Sequence, residues 1–132
     1  MVTYLQLWRN KQVRKKEFRR TRTVALKFSP QKRGIINKIV IIKPKKPNSA
    51  KRHVAKLTLS YGKRISAAIP GEYPTSKDRT LKQYSKILIR GGRCRDIIGL
   101  HYKIILGKID AQPLYHRKTS RSKYGVKKMH LS

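Results

Sequence analysis

Apolar text in this chain is confined to the middle, in five short runs between Ile36 and Leu106, while both ends are dominated by basic residues. A hydrophobic core can form only where the apolar residues are, which predicts one small domain with flanking extensions. The runs are Ile36–Ile42, His53–Ser60, Arg64–Ile69, Lys86–Arg90 and His101–Leu106. Val, Ile, Leu and Tyr dominate them, and several alternate, with Val54, Lys56 and Thr58 set against Ala55, Leu57 and Leu59. Tyr61-Gly62-Lys63 joins the second run to the third as a hairpin signal. Short strands with turns between them predict an all-β, five-stranded oligonucleotide-binding (OB) barrel; a five-stranded barrel of another topology satisfies the same pattern. The chain then divides into a helical turn and extended basic arm over 1–34, the barrel over 35–107, and a basic C-terminal tail over 108–132.

Charge narrows the function. Lys and Arg number 35 against 5 Asp and Glu, a formal net charge of +30 with a pI near 11.2. Packed into a small globule that charge repels itself, so the chain needs a polyanionic partner. Nucleic acid fits, because each phosphate met by Lys or Arg releases counterions. A membrane surface does not, since the sequence has no long apolar run and no clean amphipathic basic helix.

Catalysis and metal binding find little material. Cys94 is alone, and His53, His101, His116 and His130 are scattered without zinc-ligand spacing. The only carboxylates are Glu17, Glu72, Asp78, Asp96 and Asp110, so a paired-acid site is nearly excluded and no nucleophile sits in a catalytic signature. The expectation is a non-enzyme with no cofactor and no metal.

Binding chemistry concentrates in loops and extensions. Lys43-Pro44-Lys45-Lys46-Pro47-Asn48-Ser49-Ala50-Lys51-Arg52 is a cationic loop in which two prolines bias the preceding lysines to extended geometry. Its lysines suit phosphates, and Asn48 and Ser49 at the tip suit base edges or ribose hydroxyls. The same residues also read as a solvated surface turn. Arg90-Gly91-Gly92-Arg93-Cys94-Arg95-Asp96 offers phosphate-binding forks and one acid placed to orient an arginine, or equally a plain glycine turn with a local Arg–Asp pair. Residues 70–85 form a long polar loop.

At the start, Thr3 as N-cap and Gln6 at the capping-box position predict a short helix with Leu5 and Trp8 on one face. This start is read as mature text rather than a cleaved targeting segment. Asn10–Arg22 reads as an arm that orders between phosphates, against the alternative of a solvated tail. Val24-Ala25-Leu26 is too brief for an element of its own, and Ser29–Gly34 breaks the chain before the first strand. In the C-terminal tail, Tyr115 and Tyr124 sit in cationic text where a ring can stack on a base or an Arg plane.

Four motifs carry a resemblance. Pro30-Gln31-Lys32-Arg33-Gly34, Pro44-Lys45-Lys46-Pro47-Asn48-Ser49-Ala50, Ile89-Arg90-Gly91-Gly92-Arg93 with Asp96, and Arg121-Ser122-Lys123-Tyr124-Gly125 resemble, in order and spacing, the small-subunit ribosomal protein S-twelve family, in its bacterial and organellar form. The resemblance runs from about Pro30 to Lys128. It implies an OB barrel with a long N-terminal extension at the decoding centre of the small ribosomal subunit. Pro47, Asn48 and Ser49 would line the aminoacyl-site pocket, Lys45 and Lys46 would bind rRNA backbone, and Arg93, Arg95 and Asp96 would form a second decoding-centre loop. Lys32, Arg33, Lys51, Arg52, Arg90, Arg121, Lys123 and Tyr124 would bind rRNA elsewhere. The implied partners are small-subunit rRNA, the mRNA–tRNA codon–anticodon helix, neighbouring ribosomal proteins and an elongation factor, with no membrane.

Three departures stand out. Arg95 replaces the family's usual Lys, Ile98 its usual Pro, and the loop from Gly71 to Ser85 is longer and rewritten. Heavy use of Ile, Lys and Tyr suits an AT-rich organelle genome and places the expected ribosome in a mitochondrion, with a bacterial cytoplasm or plastid as alternatives. The rival class is a free single-strand nucleic-acid binder or chaperone of cold-shock type, which needs aromatics along one strand face.

Overall fold

The computed structural model describes residues 3–9, 22–71 and 81–128. Five strands, β1 (Gln31–Ile42), β2 (Arg52–Leu59), β3 (Arg64–Ala68), β4 (Lys86–Gly91) and β5 (Tyr102–Ile105), close into a barrel in the order β1-β2-β3-β5-β4. All neighbours are antiparallel except β3 and β5, which meet in parallel at Ala68 and Lys103. This is the expected all-β, five-stranded OB architecture. The β2–β3 hairpin turns at Tyr61-Gly62-Lys63, with Leu59 and Lys63 hydrogen-bonded across it.

β1 is the strand that closes the barrel. It is 12 residues long, and its first part pairs with β4 from Gln31–Arg90 to Ile35–Lys86, while its length from Gly34 to Ile42 pairs with β2. The β2 register shifts between Ile36 and Lys38, leaving Asn37 as a bulged residue whose side-chain amide donates to Thr58 Oγ1 at 3.0 Å. A bulge bends its strand and increases the local twist, which lets one strand serve both sides of a small barrel. The break expected over Ser29–Gly34 therefore ends at Pro30. Lys32 and Arg33 hide strand character from a hydrophobicity pattern, but the ladder to Ile89 and Leu88 supplies their backbone partners.

Alternation along β2 places Ala55, Leu57 and Leu59 inside, where they meet Ile36, Ile87, Ile89, Tyr102 and Ile104. Val54, on the opposite face, is also fully buried, in a second cluster with Ile97 and Leu100. The barrel core reaches beyond the middle of the chain. Ala111 and Leu114 join it from the C-terminal side, Leu114 N–H donates to the Tyr124 carbonyl at 3.1 Å, and Tyr124 packs against the cluster.

Val24–Leu26, too brief in sequence to predict an element, forms a 3-10 turn with Ala25 and Leu26 buried in the core. Burying a backbone requires partners for its polar groups, and two tyrosines provide them. Ala25 N–H donates to the Tyr102 hydroxyl at 3.0 Å, and the Tyr61 hydroxyl donates to the Ala25 carbonyl at 2.6 Å. The Lys27 ammonium then lies 4.1 Å from the Tyr61 ring centre. The short helix Tyr4–Arg9 forms as expected, with the reciprocal Thr3–Gln6 capping box in place. The basic arm over 10–21 and most of the 70–85 loop lie outside the described residues.

Tyr102→Phe keeps the ring but leaves the buried Ala25 N–H without an acceptor. Its expected cost is about 1–3 kcal/mol of unfolding free energy, read by denaturant unfolding at high salt. An unchanged midpoint would contradict this role for the Tyr102 hydroxyl.

Candidate nucleic-acid interface

Two loops leave the same end of the barrel. The first, 43–51, joins β1 to β2; the second, 92–101, joins β4 to β5. The start of β2, the end of β3 and the start of β5 are neighbours through the Val54–Ala68 and Ala68–Lys103 pairs, so the loops emerge side by side. In barrels of this type these two loops commonly meet nucleic acid. Beneath them, the Val54–Ile97–Leu100 cluster, with Val40, Ile42, Ala68 and Cys94 packed on it, roots the second loop in the strands that carry the first. Cys94 N–H donates to the Leu100 carbonyl at 3.0 Å, drawing the second loop closed.

The first loop does not stay extended throughout. Its tip is a turn over Lys45–Asn48, closed by the Asn48 N–H on the Lys45 carbonyl at 3.0 Å, with a cis peptide between Lys46 and Pro47. That hydrogen bond reverses the chain at the tip of a loop whose lysines the sequence predicts to be extended. Lys45, Lys46, Pro47 and Ser49 are exposed on this turn.

One carboxylate binds the two loops together. Asp96 Oδ1 accepts from Asn48 Nδ2 at 2.7 Å, its Oδ2 accepts from Arg52 Nη2 at 3.0 Å, and its main-chain carbonyl accepts from Lys45 N–H at 2.7 Å. The acid thus pairs with an arginine of the other loop's edge rather than with Arg93 or Arg95 as a local pair. Arg93 and Arg95 stand exposed. The Arg52 and Asp96 side chains are 49% and 25% exposed, so the ion pair alone contributes only about 0.2–1 kcal/mol. Its value is geometric: three bonds converge on one residue and fix the spacing of the loops. Across 43–52 and 93–96 the surface then carries Lys43, Lys45, Lys46, Lys51, Arg52, Arg93 and Arg95 against the single acid Asp96.

The other basic residues singled out from sequence fall elsewhere. Lys32, Arg33 and Arg90 lie on the β1–β4 seam, at the start of β1. Arg121, Lys123 and Tyr124 lie on a 3-10 turn, Arg121–Tyr124, in the C-terminal segment. Tyr124 is half-buried with the Arg117 guanidinium 4.2 Å from its ring centre, so of its two expected stacking partners the structure supplies the Arg plane. Asn48, expected to face a ligand, is exposed and donates its side-chain amide to Asp96. The latch itself had no local signal, because Asn48 and Asp96 are 48 positions apart and Arg52 and Asp96 are 44 apart. No helix among the described residues is long and apolar enough to cross a membrane.

A family model described as ribosomal protein S12/S23 matches residues 19–130. The match takes in both loops, the latch and the C-terminal turn.

Asp96→Ala should loosen the loops without unfolding the barrel. Amide exchange at Lys45 and Asn48 is expected to accelerate, while global stability changes by no more than about 1 kcal/mol, as for a half-exposed pair. Unchanged exchange at both amides would contradict the latch.

Proposed function

The chain belongs to the ribosomal protein S12/S23 family, structural and non-enzymatic constituents of the small ribosomal subunit, and from that premise we propose that it binds rRNA at the decoding centre and tunes translational accuracy. The observation that carries this reading is the Asp96 latch, which holds the exposed Lys45-Lys46-Pro47 turn beside Arg93 and Arg95 as one cationic surface. Lys45 and Lys46 contact rRNA backbone near the aminoacyl site. Pro47, Asn48 and Ser49 face the mRNA–tRNA codon–anticodon helix, and Arg95, with a planar fork in place of the usual lysine, grips a phosphate through two bonds. Lys32, Arg33, Lys51, Arg52, Arg90, Arg121 and Lys123 add backbone contacts to rRNA, and neighbouring ribosomal proteins and an elongation factor complete the partners.

The protein performs no chemistry in this scheme. A correct codon–anticodon pair favours a closed state of the subunit, and contacts that differ between open and closed states shift the equilibrium by their differential free energy. About 1.4 kcal/mol of difference alters selection tenfold. A latched surface loses little entropy when it engages, so more of each contact's energy reaches that equilibrium. The Ile-, Lys- and Tyr-rich text supports a mitochondrial ribosome over a bacterial or plastid one.

A free single-strand binder of cold-shock type is less well supported. The strands carry one aromatic, Tyr102, and it points into the core to hold Ala25 rather than outward to stack on bases.

Lys45→Ala, incorporated in subunits at normal stoichiometry, is expected to change the misreading frequency several-fold, the sign reporting which state the lysine contact favours. An unchanged frequency would remove Lys45 from the mechanism. The native chain is also expected to co-sediment with small subunits at about 0.5 M salt, where nonspecific cation–phosphate binding is largely stripped. Release onto any RNA offered would favour the free binder.

A further inference from the structure

The C-terminal segment builds a second cationic feature, away from the latched loops. After Leu114 the chain turns through the 3-10 turn Arg121–Tyr124 and comes back against the barrel, where Gly125 meets Gly107. The approach leaves no room for side chains: a Cβ on Gly125 would lie 2.6 Å from the Leu106 carbonyl oxygen, and one on Gly107 would lie 2.9 Å from Gly125 Cα. Both residues also hold left-handed backbone, at φ 74° and 79°, which glycine adopts without strain. Between the returning segment and the residues that precede the turn lies a groove of about 860 Å³. Pro113, Val126 and the two glycines give it apolar surface, and Lys118, Arg121, Lys127 and Lys128 give it cations, with no carboxylate in its lining.

Arg117 makes the groove more than a set of solvated lysines. Its guanidinium lies over the Tyr124 ring, its Nε is buried without an acceptor, and it has no carboxylate partner among the described residues. An arginine held by an aromatic face keeps its charge uncompensated and its orientation restricted, so an incoming anion meets a prepared cation.

We propose that this groove is a separate RNA site that takes one unstacked nucleotide of a single-stranded rRNA segment, its base on the Pro113–Val126 surface and its phosphates on Arg117, Arg121 and Lys127. Apolar surface flanked by cations, with no acid, matches a splayed base between two phosphates. An acidic protein segment would satisfy the cations but has no matching use for the apolar surface. The assignment rests on the rRNA-binding reading above and adds to it a nucleotide site that the decoding loops do not share.

The test uses small subunits assembled with the full chain, either wild-type or Lys118→Gln/Lys127→Gln, two groove cations outside the rRNA contacts of the decoding reading, and base-specific chemical probing of the rRNA. The expected result is one or two single-stranded nucleotides, protected in wild-type subunits, whose reactivity rises several-fold in the variant while decoding-centre protections stay unchanged. Ultraviolet irradiation of wild-type subunits should then leave a nucleotide adduct on the segment around Tyr115 and His116. The proposal is overturned if the variant co-sediments normally and no nucleotide changes reactivity, an outcome that leaves the decoding reading intact. It is equally overturned if the groove cross-links to a neighbouring protein instead of RNA. Failure of the wild-type chain to stay with the subunit would bring down the broader reading and this site with it.

Discussion

Scarcity of negative charge is the constraint on which this structure turns. With 35 cations and 5 carboxylates, like-charge repulsion opposes bringing any two basic loops together, and few acids exist to offset it. The two acids among the described residues are both used to join separate segments. Asp110 Oδ2 accepts from Lys86 N–H at 2.7 Å, tying the C-terminal segment to the start of β4, and Asp96 ties the β4–β5 loop to the β1–β2 loop. Loss of Asp96 removes the one counter-charge among seven neighbouring cations, so its effect falls on loop spacing more than on the barrel. The hydrophobic clusters hold the strands, and the acids hold what the strands present.

Much of the barrel was legible because its apolar alternation survives in the sequence. Ala55, Leu57 and Leu59 read inward and are inward, and Tyr61-Gly62-Lys63 turns as its residues require. Harder to read were features that depend on remote partners. Gln31–Gly34 looks like a charged break until β4 is laid beside it. Val24–Leu26 looks too short until two tyrosine hydroxyls, from β5 and from the β2–β3 turn, satisfy its buried backbone. The cationic character of both binding loops was evident from residue type alone, whereas their adjacency was not. Arg93-Cys94-Arg95-Asp96 suggests a local pair, and only the closed barrel brings Arg52 nearer to the acid.

The same division explains how a small protein can influence a much larger assembly. A barrel with an apolar core supplies a rigid base; a second cluster of Val54, Ile97 and Leu100 extends that rigidity into the loops; and the latch converts two flexible loops into one surface. Preorganisation of this kind raises the share of contact energy available for discriminating between two states of the RNA. Elsewhere, the glycine-dependent return of the C-terminal segment presents cations by packing rather than by a latch, with Arg117 held by Tyr124 in place of an acid.

The central claim is that the two loops act on the RNA as one surface, and tethered hydroxyl-radical probing tests it most directly. In a Cys94→Ser background, a radical source would be attached at Ser49→Cys or, separately, at Ile98→Cys, and each chain assembled into small subunits. The account predicts that both positions cleave an overlapping set of nucleotides around the aminoacyl site. Cleavage in two separate regions of the rRNA, with both chains fully incorporated, would contradict it.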